Sequence, residues 1–279
     1  MRFAKMQGVG NDFVVLSGRD TEGLNLPTLA VTLCARHSSI GADGLLVIGA
    51  PPDENSAFSF RMFNPDGSED MCGNGLRCAA LWAHRYGMVE AGDFSVSTRD
   101  GLRDCNLVSA DNTLAIVRVN MGEARFDMKD LPLLGDADTF INQPVQVLDK
   151  TYYTTTINTG STHSIVFTEG PVDNREFLKY GPAFENLPIY PERTSVLWTR
   201  QIGINHFAVR IWERGAGETL GCGTGACAAA IAAVVNEKAE RSVDIVISSK
   251  GGDLTINWSD TIWMTGPAEL VYEGEIRFS

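Results

Sequence analysis

Two cysteines of this chain begin glycine-rich segments of the same pattern. Both segments read Cys-Gly-x-Gly, one starting at Cys72 and the other at Cys222, and each runs into an alanine-rich stretch with helical spacing. Backbone N–H groups and the helix dipole at a helix N-terminus favour negative charge, so a thiol in that place is expected to ionise at modest pH. The sequence therefore predicts two reactive thiols, each on a glycine turn that opens a helix.

The two segments belong to an internal repeat. Cys72 and Cys222 are 150 residues apart, and a glycine precedes each of them by 62 residues, Gly10 in the first case and Gly160 in the second. This shared register predicts two similar, pseudo-symmetric domains that face each other across a cleft, each contributing one cysteine. We expect the domains to comprise residues 1–120 and 121–265, with the segment 266–279 packed back onto the first.

The length and charge of the chain limit its class. At 279 residues it is long enough for two domains, each with its own hydrophobic core. A formal net charge of −12 argues against binding to nucleic acid or to an anionic membrane surface. The sequence has no apolar run of about eighteen residues, as a transmembrane helix needs, and its first residues lack the apolar core of a signal peptide. We therefore expect a globular, cytoplasmic protein.

The six cysteines do not form the pattern of a disulfide framework or of a zinc site. Their spacings are wide, the chain has only four histidines, and no Cys-x-x-Cys occurs. We therefore expect no bound metal. The other four cysteines, Cys34, Cys78, Cys105 and Cys227, are expected to be buried in the core, where a free thiol packs as a small apolar side chain.

Periodicity and turn signals predict an α+β protein. Helices are expected over residues 27–36, 76–86, 174–180 and 226–238. Strands are expected over residues 3–6, 13–16, 45–48, 58–63, 152–157, 165–167, 195–199 and 206–212, with further antiparallel strands within 94–121 and 243–264. Each half is thus a strand-rich sheet wrapped around one long hydrophobic helix. The stretch 226–235 is apolar on most faces and must be buried all round.

Two facing thiols can transfer protons on the two faces of one carbon. A thiolate removes a proton from one side and a thiol delivers another from the opposite side, which inverts a stereocentre without a cofactor. A free thiol has a pKa of about 8.5, and a helix dipole worth about 0.3–2 kcal/mol shifts it by at most about 1.5 units. That shift tunes a base but does not make an α-carbon acidic. Water exclusion and backbone N–H donors, which a glycine turn can offer, must supply the rest.

Two other uses of these segments remain open. The cysteines could form a dithiol–disulfide redox pair, although redox cysteines usually lie close together in sequence. The glycine turns could bind phosphate, although they lack the third glycine of a dinucleotide fingerprint and the lysine of a P-loop. Proton transfer therefore ranks above both.

Beyond the two cysteine segments, the chain resembles the diaminopimelate epimerase family over nearly its whole length. The resemblance is carried by GVGNDF (8–13), IGADG (40–44), NPDGS (64–68), MCGNGLRC (71–78), PERT (191–194), ERGAGET (213–219), CGTGACA (222–228) and GPAE (266–269). It implies the fold of that family and an epimerase of LL- and meso-2,6-diaminopimelate, in lysine and peptidoglycan precursor synthesis. It also implies that two cysteines act as base and acid, with no pyridoxal phosphate.

The resemblance assigns roles to individual residues. Cys72 and Cys222 match the two catalytic cysteines, and His163 and Glu213 match polar residues that support the chemistry. The residues that match those binding the reacting carboxylate through N–H groups are Gly73, Asn74, Gly223 and Thr224. Those that match holders of the distal, non-reacting amino acid end are Asn11, Asn64 and Arg214. There a guanidinium pairs with a carboxylate and side-chain amides can accept from an ammonium group.

The chain departs from the family pattern at three positions of the substrate site. Gly44 stands where the family often has Gln, and Ser161 and Ser195 stand where Asn is common in the distal pocket. Each serine loses an amide donor and acceptor, so either water fills the gap or the distal end of the substrate differs. The alternative function is therefore a racemase or epimerase of another amino acid on the same fold, such as histidine or proline. The sequence leaves open whether the protein is a homodimer.

Overall fold

The structure, a computed structural model, describes residues 1–135 and 137–277 and divides the chain into two compact units. Unit 1 comprises Met1–Asn120 and the described residues from Thr265 onward, and unit 2 comprises Met121–Met264. The strands, in chain order, are β1 (Arg2–Gly8), β2 (Asn11–Ser17), β3 (Gly44–Gly49), β4 (Phe58–Phe63), β5 (Glu69–Asp70), β6 (Gly92–Thr98), β7 (Gly101–Ala110), β8 (Leu114–Gly122), β9 (Gln143–Val147), β10 (Lys150–Asn158), β11 (Thr162–Phe167), β12 (Ser195–Gly203), β13 (His206–Glu213), β14 (Gly217–Thr219), β15 (Asp244–Ser249), β16 (Gly252–Trp258) and β17 (Ile262–Glu275). The helices are α1 (Leu26–Cys34), α2 (Gly73–Arg85), α3 (Asn174–Glu185) and α4 (Gly223–Val235), with short 3₁₀ turns at Gly18–Thr21 and Met128–Asp130.

Unit 1 is a closed ring of eight strands around a helix. β1 pairs with β2 and with the C-terminal strand β17, and the series continues through β3, β4, β6 and β7 to β8, which pairs with β17. The β2–β3 and β4–β6 pairs are parallel, with α1 and α2 in the respective connections. α2 packs against β1, β2, β3, β4 and β7. The predicted sheet wrapped around a long helix is therefore present in this unit.

Unit 2 repeats the order of elements found in unit 1. β10 pairs with β11, β11 runs parallel to β12 with α3 between them, and β13 runs parallel to β15 with α4 between them. β12–β13 and β15–β16 are antiparallel, and β9 adds a strand beside β10. Each unit therefore has two parallel strand pairs with a helix in each connection, and this shared arrangement corresponds to the repeat in the sequence.

Both central helices are buried. Residues Gly73 to Ala83 of α2 and Gly225 to Ala233 of α4 are buried. A helix that is apolar all round is stable only when other elements cover every face. The prediction of complete burial for the second helix is confirmed over most of its length. None of the helices in the described part of the chain combines the length and apolar character needed to cross a membrane.

Several element boundaries differ from the sequence-based expectations. α2 and α4 begin at Gly73 and Gly223, three residues earlier than predicted, because each cysteine caps the helix at its first turn. α3 continues through Pro182 to Glu185. The two- and three-residue strands β5 and β14 were not predicted, because such short strands form by pairing with β4 and β13 and leave no periodicity in the sequence.

Candidate active site

Cys72 and Cys222 cap α2 and α4 with nearly the same backbone geometry. Their φ and ψ angles are −136° and 114° for Cys72 and −137° and 116° for Cys222. The sulfur of Cys72 accepts a hydrogen bond from the N–H of Gly75 at 3.3 Å, and that of Cys222 accepts one from Gly225 at 3.4 Å. Each thiol therefore faces a backbone donor at the positive end of a helix dipole, as the sequence pattern predicts.

In unit 1 the Cys72 thiol lies beside two predicted site residues, Asn11 and Asn74. Its sulfur donates to the Oδ1 atom of Asn11 at 3.7 Å, and the Nδ2 atom of Asn74 donates to the same oxygen at 3.4 Å. Asn74 is 3% exposed, and its own Oδ1 atom is buried without a hydrogen-bond partner among the described residues. A buried unsatisfied carbonyl oxygen is costly, so this atom is available for a donor from a ligand.

The ionisation of Cys72 differs from the expectation drawn from its helix position. Burial raises the pKa of the Cys72 thiol to about 11, while the N–H of Gly75 and the charge of Arg77 lower it by less. The prediction that the helix N-terminus yields a thiolate at modest pH is therefore wrong for Cys72 in this state, because desolvation of the thiolate outweighs the helix dipole.

The other predicted residues of unit 1 lie on nearby elements. Gly73 is the first residue of α2 and is buried. Gly44 begins β3 opposite Phe13, and a Cβ atom there would lie 2.8 Å from the flexible Cε end of Met62 and 3.1 Å from the carbonyl oxygen of Phe63, so a longer side chain at this position would require both neighbours to shift. The Asn64 side chain donates to the Ser68 hydroxyl at 3.0 Å within its own turn.

In unit 2 a hydroxyl joins the second thiol to a buried histidine. The Oγ1 atom of Thr224 lies 3.4 Å from the sulfur of Cys222 and 2.9 Å from the Nε2 atom of His163. The backbone carbonyl of Thr224 also accepts from the Thr159 hydroxyl at 2.8 Å, which holds the first turn of α4 against the end of β10. Cys222, Thr224 and His163 are thus brought together.

His163 is a neutral imidazole in the folded protein. It is 1% exposed, and burial, followed by the charge of Arg214, lowers the pKa of His163 to about 3. Its Nδ1 atom is buried and has no hydrogen-bond partner among the described residues. An unpaired acceptor is tolerated better than an unpaired donor, so the tautomer with the proton on Nε2 is favoured, and Nε2–H donates to Thr224.

The loop after β13 is fixed by hydrogen bonds to its backbone. Ser195 lies opposite His163 in the parallel β11–β12 pair, and its hydroxyl accepts from the N–H of Arg214 at 3.1 Å. The Nη1 atom of Arg214 donates to the carbonyl of Glu192 at 3.2 Å. Glu213 is the last residue of β13, directly before this loop. The predicted residues Ser195, Glu213 and Arg214 therefore share one corner of unit 2.

A polar cavity of about 470 Å³ opens beside this corner in unit 2. It is lined by Lys129, Asp130, Pro132, Asn158, Gly160, Ser161, Thr162, Glu192 and Arg214. Two cationic side chains, Lys129 and Arg214, and two anionic side chains, Asp130 and Glu192, line it, which suits a ligand that carries both a carboxylate and an ammonium group. Of the predicted residues, Ser161 and Arg214 line this cavity.

Sequence reasoning missed one residue that organises the loop. Glu185, 6% exposed at the end of α3, accepts from the N–H of Gly215 at 2.8 Å and from the Trp212 indole at 2.7 Å. It also accepts from the Arg193 guanidinium at 3.0 Å. No local pattern marks it, because its partners lie 8 to 30 residues away in the chain. The basic residue Lys129 and the acidic residue Asp130, which line the cavity, were missed for the same reason.

The cavity and the thiols show no arrangement for metal binding. Within residues 1–135 and 137–277, no cluster of three or more His, Cys, Asp and Glu side chains could hold a metal ion.

The sequence matches one protein family along most of its length. The family model described as diaminopimelate epimerase matches residues 3–127 and 155–271. The chain is 38% identical to the diaminopimelate epimerase of Moorella thermoacetica over 281 residues, covering 99% of each protein. It is also 38% identical to the diaminopimelate epimerase of Pelotomaculum thermopropionicum over 283 residues, covering 100% of this chain and 99% of the relative.

Solved structures with low sequence identity share the fold. A probable proline racemase from Agrobacterium radiobacter K84 superposes with a TM-score of 0.72 at 13% identity, covering 100% of this chain and 93% of that one. A phenazine biosynthesis protein of the PhzF family from Bacillus anthracis superposes with a TM-score of 0.71 at 16% identity, covering 100% and 99%. At this level of identity the similarity concerns the fold alone.

Proposed function

The chain belongs to the diaminopimelate epimerase family, and we propose that Cys72 and Cys222 are the two proton-transfer groups of its reaction. The protein is an isomerase that acts without pyridoxal phosphate and interconverts LL-2,6-diaminopimelate and meso-2,6-diaminopimelate. This assignment takes the place of the dithiol redox alternative. The lysine and peptidoglycan precursor pathway and a cytoplasmic location are part of the same proposal.

The single observation that supports the proposed mechanism is that a cysteine caps the N-terminus of the central helix in both units. Two cysteines, 150 residues apart, cap two helices with φ and ψ angles that agree within 2°. In the two-base scheme, one sulfur as thiolate takes the proton from the α-carbon, and the other as thiol delivers its proton to the opposite face. The scheme requires both sulfurs to reach the same α-carbon, which a substrate-bound structure would test.

The helix N-termini supply the charge stabilisation that this chemistry needs. Removing an α-proton places negative charge on the neighbouring carboxylate, and backbone N–H groups at a helix N-terminus can donate hydrogen bonds to it without reorganisation. Gly73, Asn74, Gly223 and Thr224 occupy the first two positions of α2 and α4. We assign their N–H groups to the reacting carboxylate.

The mixed-charge cavity of unit 2 fits the distal end of the substrate. Diaminopimelate carries a second amino acid group, and the cavity offers Arg214 and Lys129 toward a carboxylate and Asp130 and Glu192 toward an ammonium group. Ser161 provides a hydroxyl in place of a longer amide. A racemase of a small amino acid would have no use for this second set of charges, which favours diaminopimelate over proline or histidine.

The experiment that tests the proposal is a substrate panel in deuterium oxide. LL-diaminopimelate, proline, histidine and glutamate are incubated separately with the protein, without pyridoxal phosphate, and α-deuteration is followed. We expect deuteration of diaminopimelate alone. We also expect Cys72→Ala and Cys222→Ala each to lower epimerisation by at least about a hundredfold, the smaller end of general acid–base effects. Cys105→Ala, on the buried face of β7, serves as the matched control and should keep activity. Near-full activity of either site variant would contradict the two-base scheme.

A further inference from the structure

One side of the polar cavity in unit 2 is formed by residues 127–133, which lie between β8 and β9 and which we call the wall segment. It contributes Lys129, Asp130 and Pro132 to the cavity lining. The family model matches residues 3–127 and 155–271, so it does not extend over these three residues. Membership of the family therefore assigns them no role.

The backbone of the wall segment is held against the rest of unit 2. The carbonyl of Asp130 accepts from the side chain of Asn158 at 3.1 Å, and the carbonyl of Asp127 accepts from the N–H of Asp130 at 2.8 Å. Leu131 and Leu133 are buried in a hydrophobic core cluster of this unit. Burial of these two side chains and the hydrogen bonds together fix the position of this side of the cavity.

The Lys129 side chain, in contrast, is largely exposed. It is 76% exposed, and its Nζ atom lies 3.1 Å from the Oδ2 atom of Asp127, whose side chain is 61% exposed. The hydrogen bond to Asp127, followed by the charges of Asp127 and Asp130, raises the pKa of Lys129, so its ammonium group stays protonated. Because water screens both charges, an exposed ion pair of this kind contributes little. Lys129 can therefore leave Asp127 at small cost.

Arg214, the other cation of the cavity, is held in place. Its N–H donates to the Ser195 hydroxyl at 3.1 Å, and its Nη1 atom donates to the carbonyl of Glu192 at 3.2 Å. A guanidinium is a planar group with donors in a fixed arrangement, whereas a lysine ammonium group moves on a flexible stem. The cavity thus contains one fixed cation and one that can adjust its position to a ligand.

The cavity borders the helix that Cys222 caps. A Cβ atom at Gly160, which lines the cavity, would lie 3.3 Å from the Cγ2 atom of Thr224. The hydroxyl of Thr224 in turn lies 3.4 Å from the sulfur of Cys222. An amino acid whose α-carbon is bound at this thiol can therefore extend its distal end into the cavity.

We infer that Lys129 is a specificity-determining residue that releases Asp127 and pairs with the distal carboxylate of the substrate. This inference rests on the proposed function and adds an exchange of ion pairs, in which Asp127 competes with the substrate for Lys129. A bound substrate displaces water from the cavity, and its carboxylate meets Arg214 as well as Lys129. Because charges interact more strongly where water is excluded, the new ion pair is stronger than the exposed pair that it replaces.

Steady-state kinetics with diaminopimelate test the exchange in three variants. Lys129→Met should raise KM about fivefold to tenfold, between the effect of an exposed ion pair and that of a charged hydrogen bond. Asp127→Asn removes the competing carboxylate and should lower KM about twofold to fivefold, the strength of an exposed ion pair. The double variant should match Lys129→Met, because Asp127 has no competing effect once the cation is gone. In all three, kcat should stay within about twofold of wild type, since the distal end does not react.

Two matched controls separate the exchange from a general effect of charge. Lys150→Met removes another exposed lysine of unit 2, which pairs with Glu176 at 2.9 Å. Asp138→Asn removes a carboxylate from a residue whose backbone carbonyl accepts from the wall segment at 3.1 Å, and it leaves the ion pair of Lys129 in place. Both controls should keep the KM of wild type. A shift in KM of the same size in the controls as in the matching site variants would overturn the inference.

Two fragments of the substrate identify the group that Lys129 contacts. Lysine lacks the distal carboxylate of diaminopimelate, and 2-aminopimelate lacks the distal ammonium group. As competitive inhibitors of Lys129→Met, 2-aminopimelate should bind about fivefold to tenfold more weakly than to wild type, and lysine should bind equally well. An equal loss for both fragments, or an unchanged KM in Lys129→Met, contradicts the inference while the proposed function stands. If wild type leaves diaminopimelate unchanged, the proposed function itself fails, and the inference fails with it.

Discussion

The Nε2 atom of His163 lies 2.9 Å from the Oγ1 atom of Thr224, which places a buried imidazole one hydroxyl away from the second thiol. In the sequence repeat, the residue that corresponds to His163 is Phe13, which cannot form hydrogen bonds. Cys72 faces the amide of Asn11 instead. The two thiols therefore share the same backbone geometry and have different side-chain neighbours.

Replacing the Thr224 hydroxyl should impair catalysis. Thr224→Val keeps the shape of the side chain but removes the group between His163 and Cys222. Because a hydrogen bond to a charged group is worth about 1.5–3 kcal/mol, we expect kcat to fall by about tenfold to a hundredfold with little change in KM. Thr224→Ser keeps the hydroxyl and should recover most of the activity. Steady-state kinetics of both variants check this, and equal kcat values for valine and threonine would exclude a role for the hydroxyl.

The buried His163 should make stability fall in acid. Its pKa is lowered to about 3 in the folded protein, against about 6.5 in an unfolded chain. Between these values the unfolded chain binds a proton that the native protein does not. The free energy of unfolding is therefore highest above about pH 6.5 and falls below it, by up to about 1.4 kcal/mol per pH unit. Urea unfolding at several pH values should show a steeper acid loss for wild type than for His163→Gln. Parallel curves for the two proteins would contradict the lowered pKa.

Removing Glu185 should destabilise the loop that carries Arg214. Its carboxylate accepts from the Trp212 indole and the Gly215 N–H, on the two sides of Glu213 and Arg214. We expect Glu185→Ala to lower the free energy of unfolding by about 2–3 kcal/mol, since buried donors lose a charged acceptor. We also expect KM to rise more than kcat falls, because Arg214 is assigned to the distal end of the substrate. Glu185→Gln keeps one acceptor and should lie between wild type and alanine. An unchanged KM in the Glu185→Ala variant would show that Glu185 has no role in substrate binding.

A methyl group added at Gly181 should destabilise the packing of α3 against Trp212. A Cβ atom there would lie 2.6 Å from two ring atoms of Trp212, a contact that the rigid indole cannot relieve by rotating a flexible end. Overpacking costs about 1–3 kcal/mol, and the better helix propensity of alanine offsets up to about 1 kcal/mol of this. We expect Gly181→Ala to lose about 1–2 kcal/mol of stability in chemical denaturation. Gly170→Ala, where no atom lies within 4 Å of the added group, is the matched control and should stay near wild type. A Gly181→Ala protein as stable as the control would show that α3 can shift away from Trp212.

The elements that a short stretch of sequence specifies were predictable. The glycine turn, the cysteine cap and the following apolar helix are contiguous in both halves, so one pattern of residues predicted all three. The strands of 206–212 and 152–157 follow from alternation and β-branched residues in the same way. The strands β5 and β14 escaped prediction because each is held only by pairing with a neighbour, and β9 likewise pairs with β10.

By itself, the sequence determined the duplication, the two thiols, the helices that they cap and the family to which the chain belongs. Only the tertiary structure decided which side chains surround each thiol. Asn11, which accepts from the Cys72 thiol, lies 61 residues before it, and its Nδ2 atom donates to Asp43, 32 residues after Asn11 in the chain. His163 lies 61 residues from Thr224, and its neutral state depends on burial. The protonation state of a side chain depends on its desolvation and on hydrogen-bond partners from several elements. A short stretch of sequence specifies neither of these.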